Sequence, residues 1–371
     1  MILLRSLTFI SQNLIFILIG LIGIGFLIGF HELGHFLFCK LFNIRTPSFS
    51  IGFGPRIFTK KIGQTEFALS AIPLGGYVEI AGSSEMGQGE QKDAHATDKN
   101  SFAVKPYYQK LLVMFGGILF NLIFAYFALI LLFMIGMPKP VPIIRSIQAD
   151  SGAAQYFKPG DKIIAIDNQP VEESLEKFNK LITPFADKEV SIIVNRDGQE
   201  TTLLVPVGGT PNPQGQRTGT IKGLQFKMIK TEGNSFGQAI TKGITTTNKF
   251  IINTVQGFKD MLVKRDVSNV QGPLSIITII MDGISQSFAV FLLLLAVISI
   301  NLAILNLIPL PILDGGQILY YTIEAIIGRP IPMRVREYIH IACWLLLVGL
   351  IVYLTAFEFY KMIKPLLAKF F

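Results

Sequence analysis

The chain is short of charge. Only 16% of its 371 residues are Asp, Glu, Lys or Arg, against about 25% in an ordinary soluble protein. Half are hydrophobic, and the mean hydropathy is +0.51. That balance excludes a wholly water-soluble protein and leaves a membrane protein with room for one soluble domain. Cysteine is nearly absent: Cys39 and Cys343 supply neither a disulfide framework nor a thiolate metal site, and each sits in or beside an apolar run as an ordinary small core residue. There are four histidines, and neither an internal repeat nor a heptad pattern is present. The net charge of +8 does not point to nucleic acid, because the basic residues gather in loops beside apolar runs, where membrane topology accounts for them.

Four apolar stretches reach the roughly 20 residues needed to cross a bilayer: 14–38, 111–137, 283–313 and 338–357. The first is too long for a signal peptide and lacks a small-residue cleavage site. Nine basic residues, from Lys40 to Lys110, lie between the first and second stretches, and Arg329, Arg334 and Arg336 lie between the third and fourth. Basic loops stay on the cytoplasmic side, so both termini and the long interval 138–282 are expected outside, as in a multi-pass protein of a bacterial inner membrane. Within that interval, short alternating runs at 142–147, 162–167, 190–195 and 201–207, a helical stretch at 172–182, and turns such as Lys158-Pro159-Gly160-Asp161 and Arg196-Asp197-Gly198 predict a small β-rich module. From 235 to 266, Phe236, Ile240, Ile244, Ile251, Val255, Phe258 and Leu262 recur at helical spacing. This stripe suits a membrane surface or a neighbouring helix equally, and Gly272-Pro273 stops it. Residues 82–100 form the one polar, mobile stretch. The expected division is a membrane core at 1–137, the β-rich domain at 138–230, an amphipathic membrane-associated segment at 231–282, and a second part of the membrane core at 283–371.

Inside the first apolar stretch lies His31-Glu32-Leu33-Gly34-His35. A membrane interior penalises ionisable side chains by at least about 2.5 kcal/mol each, so this cluster calls for a function. On a helix, His31 and His35 share a face and can grip one Zn²⁺, with Glu32 beside them as general base. A third protein ligand is needed. In soluble zinc peptidases it lies a few turns downstream, yet no Asp, Glu or His occurs from Phe36 through Thr65. The third donor must therefore be remote. Asp314 meets the requirement: it ends the run Asn306-Leu307-Ile308-Pro309-Leu310-Pro311-Ile312-Leu313-Asp314-Gly315-Gly316, at the same membrane side as the histidines. The two prolines break the helix there, and broken backbone at membrane depth survives only where protein or a wet cavity shields it. The bland alternative is a helix end with a capping Asp.

With these motifs, the chain resembles the site-2 protease family of intramembrane zinc metalloproteases, close to the bacterial regulator-of-sigma-E proteases. The resemblance covers nearly the whole length. It rests on His31–His35, Ser50-Ile51-Gly52-Phe53-Gly54-Pro55, Ile72-Pro73-Leu74-Gly75-Gly76-Tyr77-Val78 and the Asn306–Gly316 run, and it continues in a domain beginning Pro142-Ile143-Ile144 that is similar to a PDZ module. It implies an α-helical polytopic membrane protein with four transmembrane helices, a membrane-associated β-hairpin or sheet, and an inserted extracytoplasmic PDZ-like α+β domain. It implies His31, His35 and Asp314 as Zn²⁺ ligands, Glu32 as catalytic acid/base, and Asn306 as the polar group that holds the substrate backbone or oxyanion. It also implies single-pass membrane proteins as substrates, trimmed beforehand by another protease, with anti-sigma factors and remnant signal peptides as the client classes. The chain departs from the family in two ways. It has room for one PDZ module where some relatives carry two, and Gly117-Ile118 stands where Gly-Pro is usual. Asn121, the polar residue of a charge-free span, is read as a packing position beside small glycines.

Residues 66–81 alternate around Leu74-Gly75-Gly76 and read as a hairpin. Its edge, with Gly75, Gly76 and Tyr77, would add a substrate strand; a merely structural hairpin is the alternative. In the PDZ-like domain, Gly223-Leu224-Gln225-Phe226 is the candidate carboxylate-facing loop, and the domain either binds a chain terminus or acts as a size filter. His95 reads as solvated and His340 as an interfacial residue. Two other functions compete: a catalytically silent PDZ scaffold that retains membrane clients, which a missing ligand or base would mark, and a membrane-anchored peptidase with a cytosolic site, which the acid-free interval after His35 argues against.

Overall fold

The computed structural model describes residues 2–83, 93, 95–148, 151–211, 217–264 and 272–367, so part of the polar stretch 82–100 lies outside the described residues. The chain forms two compact units, Met1–Ile135 together with Gly233–Lys364, and Gly136–Glu232.

Four helices of the first unit are long and apolar enough to cross a membrane: Leu14–Leu41, Tyr107–Ile135, Phe288–Asn306 and Arg334–Tyr360. The first belongs to α1 (Ile2–Leu41), which closes where Asn43 turns left-handed at φ 51° and the Ile44 amide bonds back to the Cys39 carbonyl at 2.8 Å, a C-terminal cap that Asn tolerates well. α2 (Tyr107–Ile135) packs against it. The contact is close because Gly34 sets its bare Cα against the Gly116 backbone, where an added Cβ would collide; small residues permit such approach between membrane helices.

Between α1 and α2 lies a hairpin of β1 (Ser48–Ile62) and β2 (Thr65–Val78), and it corrects the expected one. The chain reverses at Gly63-Gln64, with Ile62 opposite Thr65, not at Leu74-Gly75-Gly76. Gly63, at φ 60°, supplies the left-handed residue of the reversal. Gly75 and Gly76 lie inside β2, so glycine there marks close approach rather than a turn. The hairpin also folds over on itself: Ser48–Ile51 pairs with Glu66–Leu69 and again with Gly76–Val78. Phe36 of α1 meets Phe49 and Phe67 of the sheet at 5.5 and 5.6 Å between ring centroids, which seats the sheet on the helix.

The third apolar stretch is also corrected, from one long segment into separate pieces. α5 (Pro273–Gln286) ends at Ser287, whose side chain accepts from the Val290 amide and caps α6 (Phe288–Asn306). At 1.5 Å per residue, 19 residues of α6 give about 28 Å, one bilayer core. Pro309 and Pro311 then prevent continuation, and α7 (Asp314–Ile327) starts afresh. Gly272-Pro273 opens α5 rather than closing the preceding helix, proline being preorganised for a first turn. α8 (Met333–Leu367) reaches that opening turn: the amides of Gly272 and Ser275 donate to Glu358 at 3.0 and 3.2 Å, a carboxylate at a helix N-terminus.

The amphipathic stretch is α4 (Phe236–Lys264). It buries the small face Ala239, Gly243 and Thr247 and leaves Phe236, Ile244 and Val255 exposed, with Tyr126 of α2 donating to Asn248.

The second unit is the β-rich module. Its strands β3 (Pro138–Ile147), β4 (Lys162–Ile166), β6 (Glu189–Arg196), β7 (Gln199–Pro206) and β10 (Leu224–Lys230) form a sheet in the order β10-β3-β4-β6-β7, with β5 (Gln169–Pro170) beside β4. A small separate pair, β8 (Gly208–Pro211) and β9 (Arg217–Thr220), was not foreseen. Asp197 and Gly198, at φ 53° and 89°, make the tight turn between β6 and β7. One helix, α3 (Leu175–Ile182), starts where Ser174 accepts from the Lys177 amide. Its Phe178 joins Ile144, Ile163, Ile166, Ile192 and Val194 in the core and meets Phe226 of β10 edge-on at 5.4 Å.

Candidate metal centre

Three elements distant in sequence deliver the polar groups. α1 presents His31 and His35 four residues apart on one face, 9% and 6% exposed. α7 presents Asp314 in its first turn. The Nε2 atoms of the two imidazoles are 3.2 Å apart. His31 Nε2 lies 3.3 Å from one oxygen of Asp314, and His35 Nε2 lies 3.5 Å from the other.

These distances test the group for a metal. Donors about 2.0–2.1 Å from a tetrahedral Zn²⁺ stand about 3.3 Å from one another, which matches the three separations. One buried oxygen of Asp314 also has no hydrogen-bond partner, an orphan that a cation would satisfy. Among the described residues, His31, His35 and Asp314 are the one group of three such donors able to hold an ion. The residues fit zinc.

α2 sets the orientation of both rings. The His35 Nδ1–H donates to the Val113 carbonyl at 2.8 Å, which leaves the Nε2 lone pair facing Asp314. His31 Nδ1 lies 3.1 Å from the Asn121 amide. With the Asn121 oxygen turned toward it, His31 Nδ1–H becomes the donor, the otherwise unpartnered Asn121 Oδ1 is satisfied, and the second Nε2 lone pair is free as well. Asn121 thus does more than pack. Gly117 of α2 passes directly beneath the two imidazoles, so a Cβ there would press on both rings.

The cluster opens into a cavity of about 290 Å3. Glu32, Gly76, Tyr77 and Asn306 line it, so the structure brings these predicted residues together with the metal donors. Asn306 is the last residue of α6. Gly76 lies against Glu32, and its Cα faces the Ser50 carbonyl so closely that a side chain would press on it. Gly75 is covered by the Phe53 ring, and the Tyr77 hydroxyl accepts from Arg56 at 3.4 Å. The stretch Gly76–Val78 is paired on one side by Phe49–Ile51 and has no strand on its other side among the described residues. Gly223 and Leu224 belong to the other compact unit, at the start of β10, where Gly223 is left-handed at φ 89°.

Two polar cavity residues escaped sequence reasoning. His340 of α8 lines the cavity, although an imidazole at the start of an apolar run looks interfacial. Gln317 lines it too, one turn after Asp314, and donates to the Pro311 carbonyl at 2.9 Å, bracing the proline loop. The signal for Gln317 was its place on the same helix face as Asp314; for His340 there was none.

Comparison with known proteins agrees with this chemistry. A family described as peptidase family M50 matches residues 19–350. A "putative zinc metalloprotease" of Campylobacter jejuni is 31% identical over 344 residues, covering 90% of this chain and 90% of its own. A protein of the same description from Fusobacterium nucleatum is 30% identical over 353 residues, covering 93% of this chain and 98% of its own. A solved PDZ domain of an SdrC-like protein from Listeria monocytogenes is 21% identical and covers 23% of this chain and 84% of its own, at a TM-score of 0.19, too low to carry an argument.

Proposed function

The chain belongs to peptidase family M50 and is a zinc metalloprotease, and from that premise we propose that it cuts single-pass membrane proteins within or near their membrane-spanning segments. The observation that carries this reading is the placement of the donors. Two stand on an apolar helix long enough to span a bilayer, and the third follows directly on the proline break after another such helix.

Zinc, when bound, polarises a carbonyl and acidifies water. Glu32 accepts the proton of the attacking water and passes it to the departing amine. Asn306 donates to the carbonyl oxygen as negative charge builds on it, the kind of positioned donor whose loss costs about 10²–10³ in rate. A peptide bond inside a helix is shielded from attack, so the substrate must be extended locally. The open edge of Gly76–Val78 supports that step: an unwound segment adds there as a strand, held by backbone hydrogen bonds past Gly75, Gly76 and Tyr77. Bare Gly76 lets its backbone lie close to Glu32.

The same reading assigns the metal centre to the cytoplasmic side of a bacterial inner membrane, since the basic loops flank it, and the 136–232 unit to the outside. That unit is taken as a PDZ-like domain whose groove runs between the free edge of β10 and α3, with Gly223 and Leu224 at its end. It admits clients already trimmed by another protease; anti-sigma factors and remnant signal peptides are the client classes. A silent scaffold has no support, because no donor or base is missing.

The test uses the full chain, purified in detergent with zinc, and a model single-pass substrate with products mapped by mass spectrometry. Cleavage inside the membrane segment is expected, with Glu32→Gln slowed by at least about 10²-fold while its zinc content stays at one ion per chain. Cuts confined to soluble flanks would sink the intramembrane reading.

A further inference from the structure

Gln317 lines the metal cavity. That side chain also lines a second cavity of about 470 Å3, bounded by α7, the first turns of α2 and α8, the loop around Ile331, and residues 82–83, 95–97 and 102–103, His95 among them. We propose that this second cavity is a substrate subsite for an acidic side chain on the flank of the segment being cut; the proposal rests on the protease reading above.

The walls are cationic and only half neutralised. Lys110 Nζ lies over the rings of Phe102 and Tyr321, 5.8 and 5.6 Å from their centroids, and makes no ion pair among the described residues. Ring faces hold an ammonium in place and strip water from it without cancelling its charge. Arg336 lies over Tyr320 and Tyr321 at 5.4 and 5.6 Å. One of its terminal nitrogens donates to Glu324, yet its Nε is buried with no hydrogen-bond partner. Glu324 is committed elsewhere as well, accepting from the Ile331 amide at 2.7 Å. Among the described residues, Lys110 and Arg336 against Glu324 leave one uncancelled positive charge on the cavity wall.

That inventory suits a carboxylate. The excess charge draws an anion, and a carboxylate offers its oxygens to the Lys110 ammonium as charge-assisted acceptors. A doubly charged free phosphate would meet the Glu324 carboxylate on the same wall, which disfavours it; a lipid phosphodiester carries one charge, and the vesicle arm of the experiment separates it from a side-chain carboxylate. Gln317 forms a wall of both cavities, so the second one lies next to the path of an extended chain leaving the metal cavity on this side. Cytoplasmic flanks of single-pass proteins are usually basic, so the pocket repels the common case and selects the uncommon one.

The experiment reconstitutes the zinc-loaded full chain in phosphatidylcholine vesicles. It measures kcat/KM on matched single-pass substrates carrying Asp, Asn or Lys at successive flank positions. At one position Asp is expected to exceed Asn by about tenfold, and Lys to fall below both. Lys110→Gln should bring the Asp-to-Asn ratio close to one, and Lys110→Glu should favour Lys over Asp. Each ratio is internal to one protein, so partial loss of fold does not mimic it. Equal cleavage of all three substrates at every position by the unaltered chain overturns the subsite alone. A series in which nothing is cut overturns the protease reading beneath it. Rates that follow added phosphatidylglycerol or inorganic phosphate, depend on Lys110, and ignore substrate charge would make this an anion or headgroup site and overturn the proposal.

Discussion

At the scale of single residues, each side chain around the metal donors has a separable task. As the proposed third ligand, Asp314 would supply charge and a donor atom, so Asp314→Asn should lower zinc content by elemental analysis, whereas Glu32→Gln should not. Asn121 touches no predicted donor position of the ion itself, only the far nitrogen of His31. Outer partners of metal-bound imidazoles are worth about 10–100-fold in affinity. Asn121→Ala is therefore expected to weaken zinc binding by that factor in a chelator competition, with Asn121→Asp, which keeps an acceptor oxygen, recovering most of it. A residue that merely filled space would show the reverse order, since Ala is the better packer among small neighbours. The sequence marks Asn121 as unusual but cannot say which way an amide faces. His340 shows the same limit more strongly, because the histidines and glutamate of α1 that share its cavity are about three hundred residues away in the chain.

At the scale of elements, helix and strand identity follows from periodicity and turn chemistry, while breaks and pairings depend on partners. The expected runs in the β-rich module correspond to β3, β4, β6 and β7 because alternation and the Asp197-Gly198 turn are local signals. The hairpin apex was misplaced because glycine serves both turns and close approach, and only the facing Phe53 ring and Glu32 distinguish the two. One tertiary clamp in this module carries a pH signature. Asp161 accepts two bonds from Arg196 at 2.8 Å and one from the Lys158 amide at 2.8 Å. Burial pushes its carboxyl up, but these donors outweigh burial and hold it below the usual carboxylate range. A depressed carboxyl stabilises the fold fully above its unfolded value of about 3.9, and the benefit disappears as pH falls through the lower folded value. Protection factors for hydrogen exchange of the β4 and β6 amides in the full chain should therefore stay high at pH 6 and fall below about pH 4. Asp161→Ala should remove that step and cost about 3 kcal/mol at neutral pH, the scale of breaking a buried pair.

At the scale of the whole molecule, the three metal donors and the cavity belong to one compact unit and the β-rich module to the other. Metal binding should therefore survive loss of the second unit. Replacing Gly136–Glu232 by a short flexible linker is expected to leave zinc content unchanged and to preserve cutting of an already trimmed substrate, while untrimmed clients become substrates too. Loss of turnover on the trimmed substrate would show instead that the module takes part in the chemistry. What the amino-acid sequence determined by itself was mostly local: the existence of four apolar spans, the helical His31–His35 pair with Glu32 between them, the proline break before Asp314, and the alternating strands of the β-rich module. These rest on periodicity, hydropathy and backbone restriction, which act over a few residues. What only the tertiary structure decided was the geometry of the meeting and its less obvious members: the distances from Asp314 to the two imidazoles, Asn121 behind His31, His340 in the cavity, and the second cavity beside Gln317. Such meetings are set by how helices far apart in the chain pack, and packing depends on shape summed over many side chains rather than on any one segment's pattern.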